Sequence, residues 1–303
     1  MTEIVIGGGI FMLLIAFGDF RGEPQMHGEM VFDTCSEYMV LSVIENEIAV
    51  LATQQEMYTD EGNGGRKVTG LPHYVTEYPN LYAPDKEEVD SPEEQHPAQG
   101  KTAYLTFDDG PSENTIRVLD ILKQEGIHAT FFLIGEEITP EREEIVKRIV
   151  EEGHTIGLHT YCHDYQKMYR SVEAFLEDYE NVCERICEVT GQVPGIFRFP
   201  GGSANYYARG IIGEIKTEME RRGFCYYDWN VSAEDSVGTP TRYSIRANIF
   251  KDVFRYDRPV ILMHDSMSNG LTASMLTDII KEIRDAGYAF DTLDHREICH
   301  FGT

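Results

Sequence analysis

The sequence predicts an α/β fold, in which a parallel sheet closes into a barrel behind a largely non-globular extension. Two observations carry this prediction. Apolar runs alternate with helical segments from Lys101 onward, and the residues before Lys101 show no such order. The runs lie near residues 102–107, 129–134, 154–159, 195–199, 224–230, 259–264 and 288–293. Seven strands separated by helices favour a parallel sheet, because each parallel crossover needs about a helix of chain.

Two of the intervening helices carry clear end signals. Ser112 precedes one predicted helix as a cap, and Gly126 follows it. Ser171 opens a second helix, and Gly191 ends it. Both helices therefore begin directly after a predicted strand and loop, as the units of a barrel do.

The first 22 residues contain an apolar stretch from Ile4 to Phe17. It is too short for an ordinary spanning helix but suits the core of a signal peptide. No Lys or Arg precedes it, which is atypical of a signal. We interpret residues 1–22 as a signal or membrane-anchoring segment, with an internal strand as the alternative, and expect an extracellular or cell-surface protein.

Residues 23–99 are interpreted as a spacer. Apolar residues between Ser36 and Met57 recur at helical spacing, so a short amphipathic helix is expected there. The chain from Thr59 to Gly100 is rich in Pro, Gly and Glu, a composition that builds no core. Residues 100–303 are then the folded domain.

Charge limits the partners. The chain has 52 acidic and 26 basic residues, a net charge of −26. A nucleic-acid-binding protein needs clustered Lys and Arg to contact phosphates, so that class is excluded and a neutral or cationic substrate is favoured. We expect a monomer. Cys183 and Cys187 share one face of a predicted helix and are interpreted as buried thiols, since the six cysteines form no disulfide framework.

Two adjacent carboxylates, Asp108 and Asp109, stand where the first strand of the folded domain stops. In a sheet wound with helices, that edge is where ligands bind. Neighbouring side chains point different ways, so one carboxylate can bind a metal while the other accepts a proton. Taken alone, the pair could also be an ordinary acidic turn.

Four further stretches supply what a hydrolytic site would need. They are His159-Thr160-Tyr161-Cys162-His163, Arg198-Phe199-Pro200-Gly201-Gly202, Asp228-Trp229-Asn230-Val231-Ser232-Ala233-Glu234-Asp235, and Leu262-Met263-His264-Asp265. Taken with the Asp pair, and in this order, they resemble the five motifs of the polysaccharide deacetylase family, carbohydrate esterase family 4, also called the NodB-like domain. The resemblance covers about residues 100 to 295 and implies a distorted (β/α)7 barrel.

The spacing of His159 and His163 allows both imidazoles to face one ion, and an Asp would complete a set that suits a borderline divalent cation. The resemblance assigns Asp109 to that place. Zinc is the favoured metal, with cobalt, nickel and manganese as alternatives. The resemblance further implies that Asp108 is the general base and that His264 is the general acid.

The resemblance implies that Arg198 pairs with the base. The family's motif usually continues Pro-Tyr after this Arg, whereas Gly201 stands at the Tyr position here. Gly201 can still donate a backbone N–H to an oxyanion, but a pocket wall is lost. Leu262 matches the residue that lines the acetyl-methyl pocket.

The fourth motif departs most from the family pattern. Asp235 is our choice for its carboxylate, in a position to tune His264 or brace Arg198. Asp228, beside the sole tryptophan Trp229, is the competing choice, and Trp229 is placed with the substrate-binding residues.

The resemblance implies a metal-dependent hydrolase that removes N-acetyl groups from N-acetylhexosamine units of a polysaccharide, and the expected export segment and spacer favour peptidoglycan as the substrate. Chitooligosaccharide deacetylation and xylan O-deacetylation are alternatives within the same chemistry. A non-catalytic glycan-binding module on the same fold is the alternative outside it.

Overall fold

The structure is a computed structural model that describes residues 2–6, 9–13, 74, 77–84 and 100–296. Two compact units divide the chain, residues 1–32 and residues 33–303. In the first unit, β1 (Thr2–Ile6) pairs antiparallel with β2 (Gly9–Leu13). This hairpin covers part of the predicted export or anchoring segment. Among the described residues, no helix is long and apolar enough to cross a membrane.

The second unit contains one sheet of eight strands, and all of its pairings are parallel. Its strands are β3 (Lys101–Gly110), β4 (Thr130–Ile134), β5 (Thr155–Thr160), β6 (Ile196–Phe197), β7 (Cys225–Tyr226), β8 (Val231–Ser232), β9 (Val260–His264) and β10 (Tyr288–Phe290). The order is β7-β6-β5-β4-β3-β9-β8, with β10 beside the start of β3.

Helices follow most strands. They are α1 (Glu113–Glu125), α2 (Glu143–Glu151), α3 (Tyr165–Met168), α4 (Val172–Thr190), α5 (Ile212–Arg221), α6 (Arg242–Asp252), α7 (Gly270–Ala273) and α8 (Leu276–Asp285). Short 3₁₀ turns lie at Gly135–Glu137, Pro140–Arg142, Val253–Arg255 and Leu293–His295. The caps predicted at Ser112 and Ser171 are confirmed, because each side chain accepts a backbone N–H of its helix, and Gly126 and Gly191 end α1 and α4 in the left-handed conformation.

The α/β fold with a curled parallel sheet is confirmed, and each of the seven predicted strands has a counterpart. One prediction needs correction. The run predicted at 224–230 contains only the two-residue strand β7, and a second short strand, β8, follows it at Val231–Ser232; the two lie at opposite ends of the strand order. The described strands therefore form a ring that is not fully closed. This opening corresponds to the distorted barrel that the family resemblance implied.

Successive side chains of β3 point to opposite faces of the sheet and belong to two different hydrophobic layers. Leu105 and Phe107 belong to the large cluster that includes the helices, whereas Tyr104 belongs to a smaller cluster on the other face of the sheet. That smaller cluster contains Tyr104, Phe132, Ile196, Tyr227, Val260 and Leu293. Because side chains alternate with a period of two, Thr106 and Asp108 share the face of Tyr104. The inner face thus becomes polar towards the carboxyl ends of the strands.

Part of the predicted spacer packs on the folded domain. Leu81 is fully buried. The guanidinium of Arg222, also fully buried, donates to the backbone oxygens of Tyr74, Glu77, Tyr78 and Leu81 at 2.7–3.1 Å. Residues 77–84 therefore differ from the free spacer expected from composition, because a single buried cation donates hydrogen bonds to several of their backbone oxygens. The amphipathic helix predicted between Ser36 and Met57 lies outside the described residues.

One cysteine also departs from its interpretation. Cys183 is a buried free thiol, as expected. Cys187 is disulfide-bonded, so the interpretation of both residues as thiols was wrong for Cys187. Spacing along one helix could not reveal such a bond.

Candidate active site

The two carboxylates of the first motif leave β3 in different conformations. The register of β3 against β4 shifts between Asp108 and Gly110, so Asp109 is the extra residue of a bulge. Asp109 has φ of +71°, in the left-handed region that Asp tolerates better than most residues. Asp108 keeps the pleat and pairs in register with His264 on β9. The bulge therefore directs both carboxylates to the carboxyl end of the sheet.

Two imidazoles approach Asp109 from the end of β5. The Nε2 atoms of His159 and His163 lie 3.5 Å and 3.4 Å from Asp109 Oδ1. One donor atom from each of the three residues can be chosen so that all lie within 4.8 Å of one another. The structure thus brings together the three residues predicted as metal ligands.

Four observations fit this cluster to a divalent cation. Two donor atoms about 2.1 Å from one ion at tetrahedral angles lie about 3.4 Å apart, close to the separations seen here. Asp109 Oδ1 is buried and has no hydrogen-bond partner among the described residues. His159 Nδ1 lies 3.0 Å from the carbonyl oxygen of Arg198, so donation there leaves Nε2 free to bind a metal. Burial lowers the pKa of His159 despite the nearby carboxylates, which keeps the ring neutral.

A buried carboxylate that the sequence analysis missed holds the turn between the two imidazoles. Asp178, on α4, accepts from Thr160 Oγ1 and from the backbone N–H of Tyr161, both at 2.7 Å. It also accepts from the N–H and Sγ of Cys162 at 3.2 Å and 3.1 Å. Its signal was an Asp on the apolar face of a predicted helix, a position that requires polar partners.

Arg198 is the polar centre of the inner face. Its side chain is fully buried, and its Nη1 donates to Asp108 Oδ1 at 2.8 Å and to Thr106 Oγ1 at 2.7 Å. Its Nε donates to the carbonyl oxygen of Tyr227 at 2.9 Å, and its guanidinium carbon lies 4.2 Å from the centre of the Phe132 ring. A fixed cation therefore pairs with Asp108 and orients its carboxylate.

Asp235 rather than Asp228 reaches His264. Asp235 Oδ1 lies 2.8 Å from His264 Nδ1, and Oδ2 accepts the backbone N–H of His264 at 3.0 Å. Burial alone would lower the pKa of His264, but the bond to Asp235 and the charges of Asp108 and Asp109 outweigh burial and raise that pKa to about 9. The imidazole is therefore positively charged at neutral pH. Thr272 Oγ1 also donates to Asp235, at 2.6 Å.

Asp228 has a different task. It accepts the N–H and the hydroxyl of Ser203 at 2.8 Å and 2.5 Å and so fixes the turn after Arg198. Trp229 packs against that turn, since a Cβ on Gly202 would lie 3.1 Å from its ring. Gly201 has φ of +75°, which favours glycine. Leu262 is buried and in register with Thr106. The structure therefore places Gly201 and Trp229 beside one turn and Leu262 on β9.

Asp265, which follows His264, does not hold it. Its carboxylate accepts from Thr115 Oγ1 in the first turn of α1 at 2.5 Å. Burial, opposed by that bond and reinforced by the charges of Asp109 and Asp108, raises the pKa of Asp265 to about 7. Asp265 thus packs under the Asp pair, with Gly110 leaving room for it.

Known proteins resemble this chain in sequence and in fold. A profile of the family described as Polysaccharide deacetylase matches residues 95–219. A peptidoglycan-N-acetylglucosamine deacetylase of Bacillus cereus is 31% identical over 210 residues, which are 66% of this chain and 71% of that protein.

Solved structures agree with the sequence comparison. The catalytic domain of a peptidoglycan N-acetylglucosamine deacetylase from Eubacterium rectale superposes with a TM-score of 0.61 at 31% identity, over 67% of this chain and 96% of that one. A family 4 acetyl xylan esterase from Clostridium thermocellum, solved in complex with a cobalt ion, gives 0.55 at 26% identity over 64% and 89%.

Proposed function

Because this chain belongs to the polysaccharide deacetylase family, we propose that it is a metal-dependent hydrolase of N-acetyl groups on the N-acetylhexosamine units of a glycan. Peptidoglycan is the favoured glycan, because the B. cereus and E. rectale relatives are named for its N-acetylglucosamine. One observation carries the proposal: three side chains that could hold a metal ion adjoin a buried Arg-paired carboxylate and a cationic imidazole.

Asp109, His159 and His163 would hold the cation. Two imidazoles and a carboxylate suit zinc, and cobalt, nickel or manganese are alternatives. When bound, a divalent ion lowers the pKa of water and polarises a carbonyl oxygen.

The remaining residues divide the proton transfers between them. Asp108, oriented by Arg198, accepts the proton of the attacking water. His264 is protonated because of Asp235 and donates to the leaving nitrogen, which cannot depart as an amide anion.

Two groups contact the acyl part of the substrate in this proposal, and a third borders its sugar. The N–H of Gly201 donates to the carbonyl oxygen as charge develops on it. Leu262 packs on the methyl group, and Trp229 borders the sugar. A non-catalytic module is disfavoured because the described site lacks none of the six groups that the chemistry uses, Asp108, Asp109, His159, His163, Arg198 and His264.

We also propose that the protein acts outside the cell or at its surface as a monomer. The apolar segment at residues 1–22 would direct export or anchoring. This part of the proposal rests on sequence composition and is tested by fractionating cells that express the full chain.

The enzymatic proposal is tested with purified protein on cell-wall sacculi, N-acetylglucosamine oligomers and acetylated xylan. Release of acetate is measured before chelation, after chelation and after each metal is restored. We expect activity to be lost on chelation and restored by zinc or cobalt. Activity that survives complete metal removal would overturn the hydrolase mechanism, and the ratio of rates among the three substrates identifies the glycan.

A further inference from the structure

We propose that Tyr165, Tyr207 and Tyr206 form an aromatic track that binds the sugar units flanking the one that reacts. The track deepens the proposed function and rests on it. Its occupant is a neutral glycan chain, so the site would be built for a polymer and not for a single acetylated sugar.

The three rings make a continuous series that starts at a metal-binding residue. The ring centres of His163 and Tyr165 are 5.4 Å apart, those of Tyr165 and Tyr207 are 5.4 Å apart, and those of Tyr207 and Tyr206 are 6.2 Å apart. Each step is within the range of a direct aromatic contact. The series therefore leads from the candidate metal site to the surface.

The first ring takes the space that a side chain at position 201 would use. A Cβ on Gly201 would lie 3.0 Å from Tyr165 Cε1 and 3.1 Å from its hydroxyl oxygen. The turn that carries the proposed oxyanion donor is thus in contact with Tyr165. A ring in this place can border the reacting sugar and restores a wall beside Gly201.

The outer two rings are left in water. Tyr206 is 79% exposed and Tyr207 is 53% exposed. Two adjacent aromatic side chains in solvent, continuous with a site, are typical of a surface that meets a ligand. One face of a pyranose ring presents C–H groups while its hydroxyls point outward, so stacking removes apolar surface from water and leaves the hydroxyls solvated.

The loop that carries the rings is fixed before any ligand arrives. The side chain of Asn205 donates to the carbonyl oxygens of Pro200 and Gly202 and accepts the N–H of Ala208 at 2.9 Å. Ala208 is fully buried. Exposed rings on a loop held in this way lose little freedom on binding, which favours affinity.

Charge supports a neutral occupant. The chain carries a net charge of −26, so an anionic partner would be repelled over most of its surface. The rings themselves are uncharged, and their stacking is insensitive to salt. A neutral N-acetylated glycan meets both conditions.

The test uses the metal-loaded full chain with N-acetylglucosamine oligomers of one to six units and with 4-nitrophenyl acetate, a small ester. The double variant Tyr206→Ala with Tyr207→Ala should lower the ratio of kcat/KM on the hexamer to that on the ester by about tenfold. The loss should grow with oligomer length. Tyr256→Ala is the matched control and should leave the ratio unchanged. Tyr256 is a part-exposed tyrosine that lies just before the first residue of β9, whereas the site lies at the last.

A ratio that stays constant in the double variant overturns the track, as does an equal loss at every oligomer length. Should the wild-type chain hydrolyse no oligomer, the proposed function is judged by its activity on cell-wall sacculi, and the track is judged by calorimetric binding of the hexamer. Binding that is about tenfold weaker in the double variant than in wild type and Tyr256→Ala supports it. Equal binding, or none in any of the three proteins, overturns it.

Discussion

Asp235 binds His264 twice, through the imidazole Nδ1 at 2.8 Å and through the backbone N–H at 3.0 Å. The two contacts fix both the charge and the direction of the ring. The other imidazole nitrogen, Nε2, is left near Ser236 Oγ at 3.3 Å on the side that faces solvent. This relationship assigns a physical role to a carboxylate that the fourth motif left ambiguous.

Replacing Asp235 with Asn should move the alkaline limb of the pH–rate profile downward. The folded pKa of His264 is about 9, above the ordinary value, so the acid form is present below that pH and is lost as the pH rises through it. Removing the carboxylate charge should lower the limb by about 1–2 pH units. The measurement is kcat/KM from pH 6 to pH 10.

Asp228→Asn is the matched control, because Asp228 binds Ser203 and not His264. The alkaline limb should keep its position in this variant even if the rate changes. A limb that moves with Asp228 and not with Asp235 would reverse the assignment of the fourth motif.

The two neighbouring carboxylates should separate into a base and a ligand. Asp108→Asn should lower turnover by about 10²–10⁴-fold and keep the metal, since the carboxylate pairs with Arg198. Asp109→Ala should lose the metal, because Asp109 Oδ1 is the atom that both imidazoles approach. Metal content per chain and acetate release are measured on the same samples. Equal metal loss in the two variants would contradict this division.

The buried pair of Arg198 and Asp108 should matter to stability far more than an exposed pair of the same type. Arg198→Ala leaves an unpaired buried carboxylate and should cost about 3–5 kcal/mol of unfolding free energy, measured by denaturant titration of the metal-free protein. Arg246→Ala breaks a two-bond contact with Glu282 on the surface and should give no resolvable change. Similar losses of unfolding free energy in the two variants would mean that the buried pair stabilises the fold no more than the exposed pair does.

Asp178→Asn should weaken metal binding without touching a ligand. Asn offers one acceptor oxygen in place of two, so the turn from Thr160 to Cys162 loses part of its support. We expect metal affinity to fall about 10–100-fold, measured by competition with a chelator. Asp120→Asn is the control and should retain wild-type metal affinity. Asp120 lies on α1, where it makes an exposed ion pair with Arg148. Unchanged affinity in Asp178→Asn would show that the turn holds its shape alone.

Sequence reasoning predicted the architecture because the elements repeat. A strand buried on both faces is a short apolar run, and caps such as Ser112 and Gly126 are local signals. It failed where local composition is outweighed by distant contacts. The chain at 224–230 is apolar enough for one strand, but only Cys225–Tyr226 pairs, as β7, and nothing local shows that β8, which follows at Val231–Ser232, joins a different neighbour.

The site was predictable to the extent that motifs sit at strand ends. Asp109, His159 and His163 were placed together by spacing and resemblance, and the geometry brings them together. Asp178 and Tyr165 were not found, because their roles depend on how α3 and α4 fold back over the turn. An Asp on an apolar helix face was the one available signal, and Tyr165 had none.

The hydrogen bonds that Arg222 donates to the backbone before residue 84 limit how far the chain can be shortened from its N-terminal side. A truncated protein that starts at residue 100 would lack the four main-chain oxygens to which that guanidinium donates, and would lack the Leu81 side chain that is part of the hydrophobic core. Expression boundaries are therefore best drawn ahead of residue 74, even though the chemistry begins more than thirty positions later.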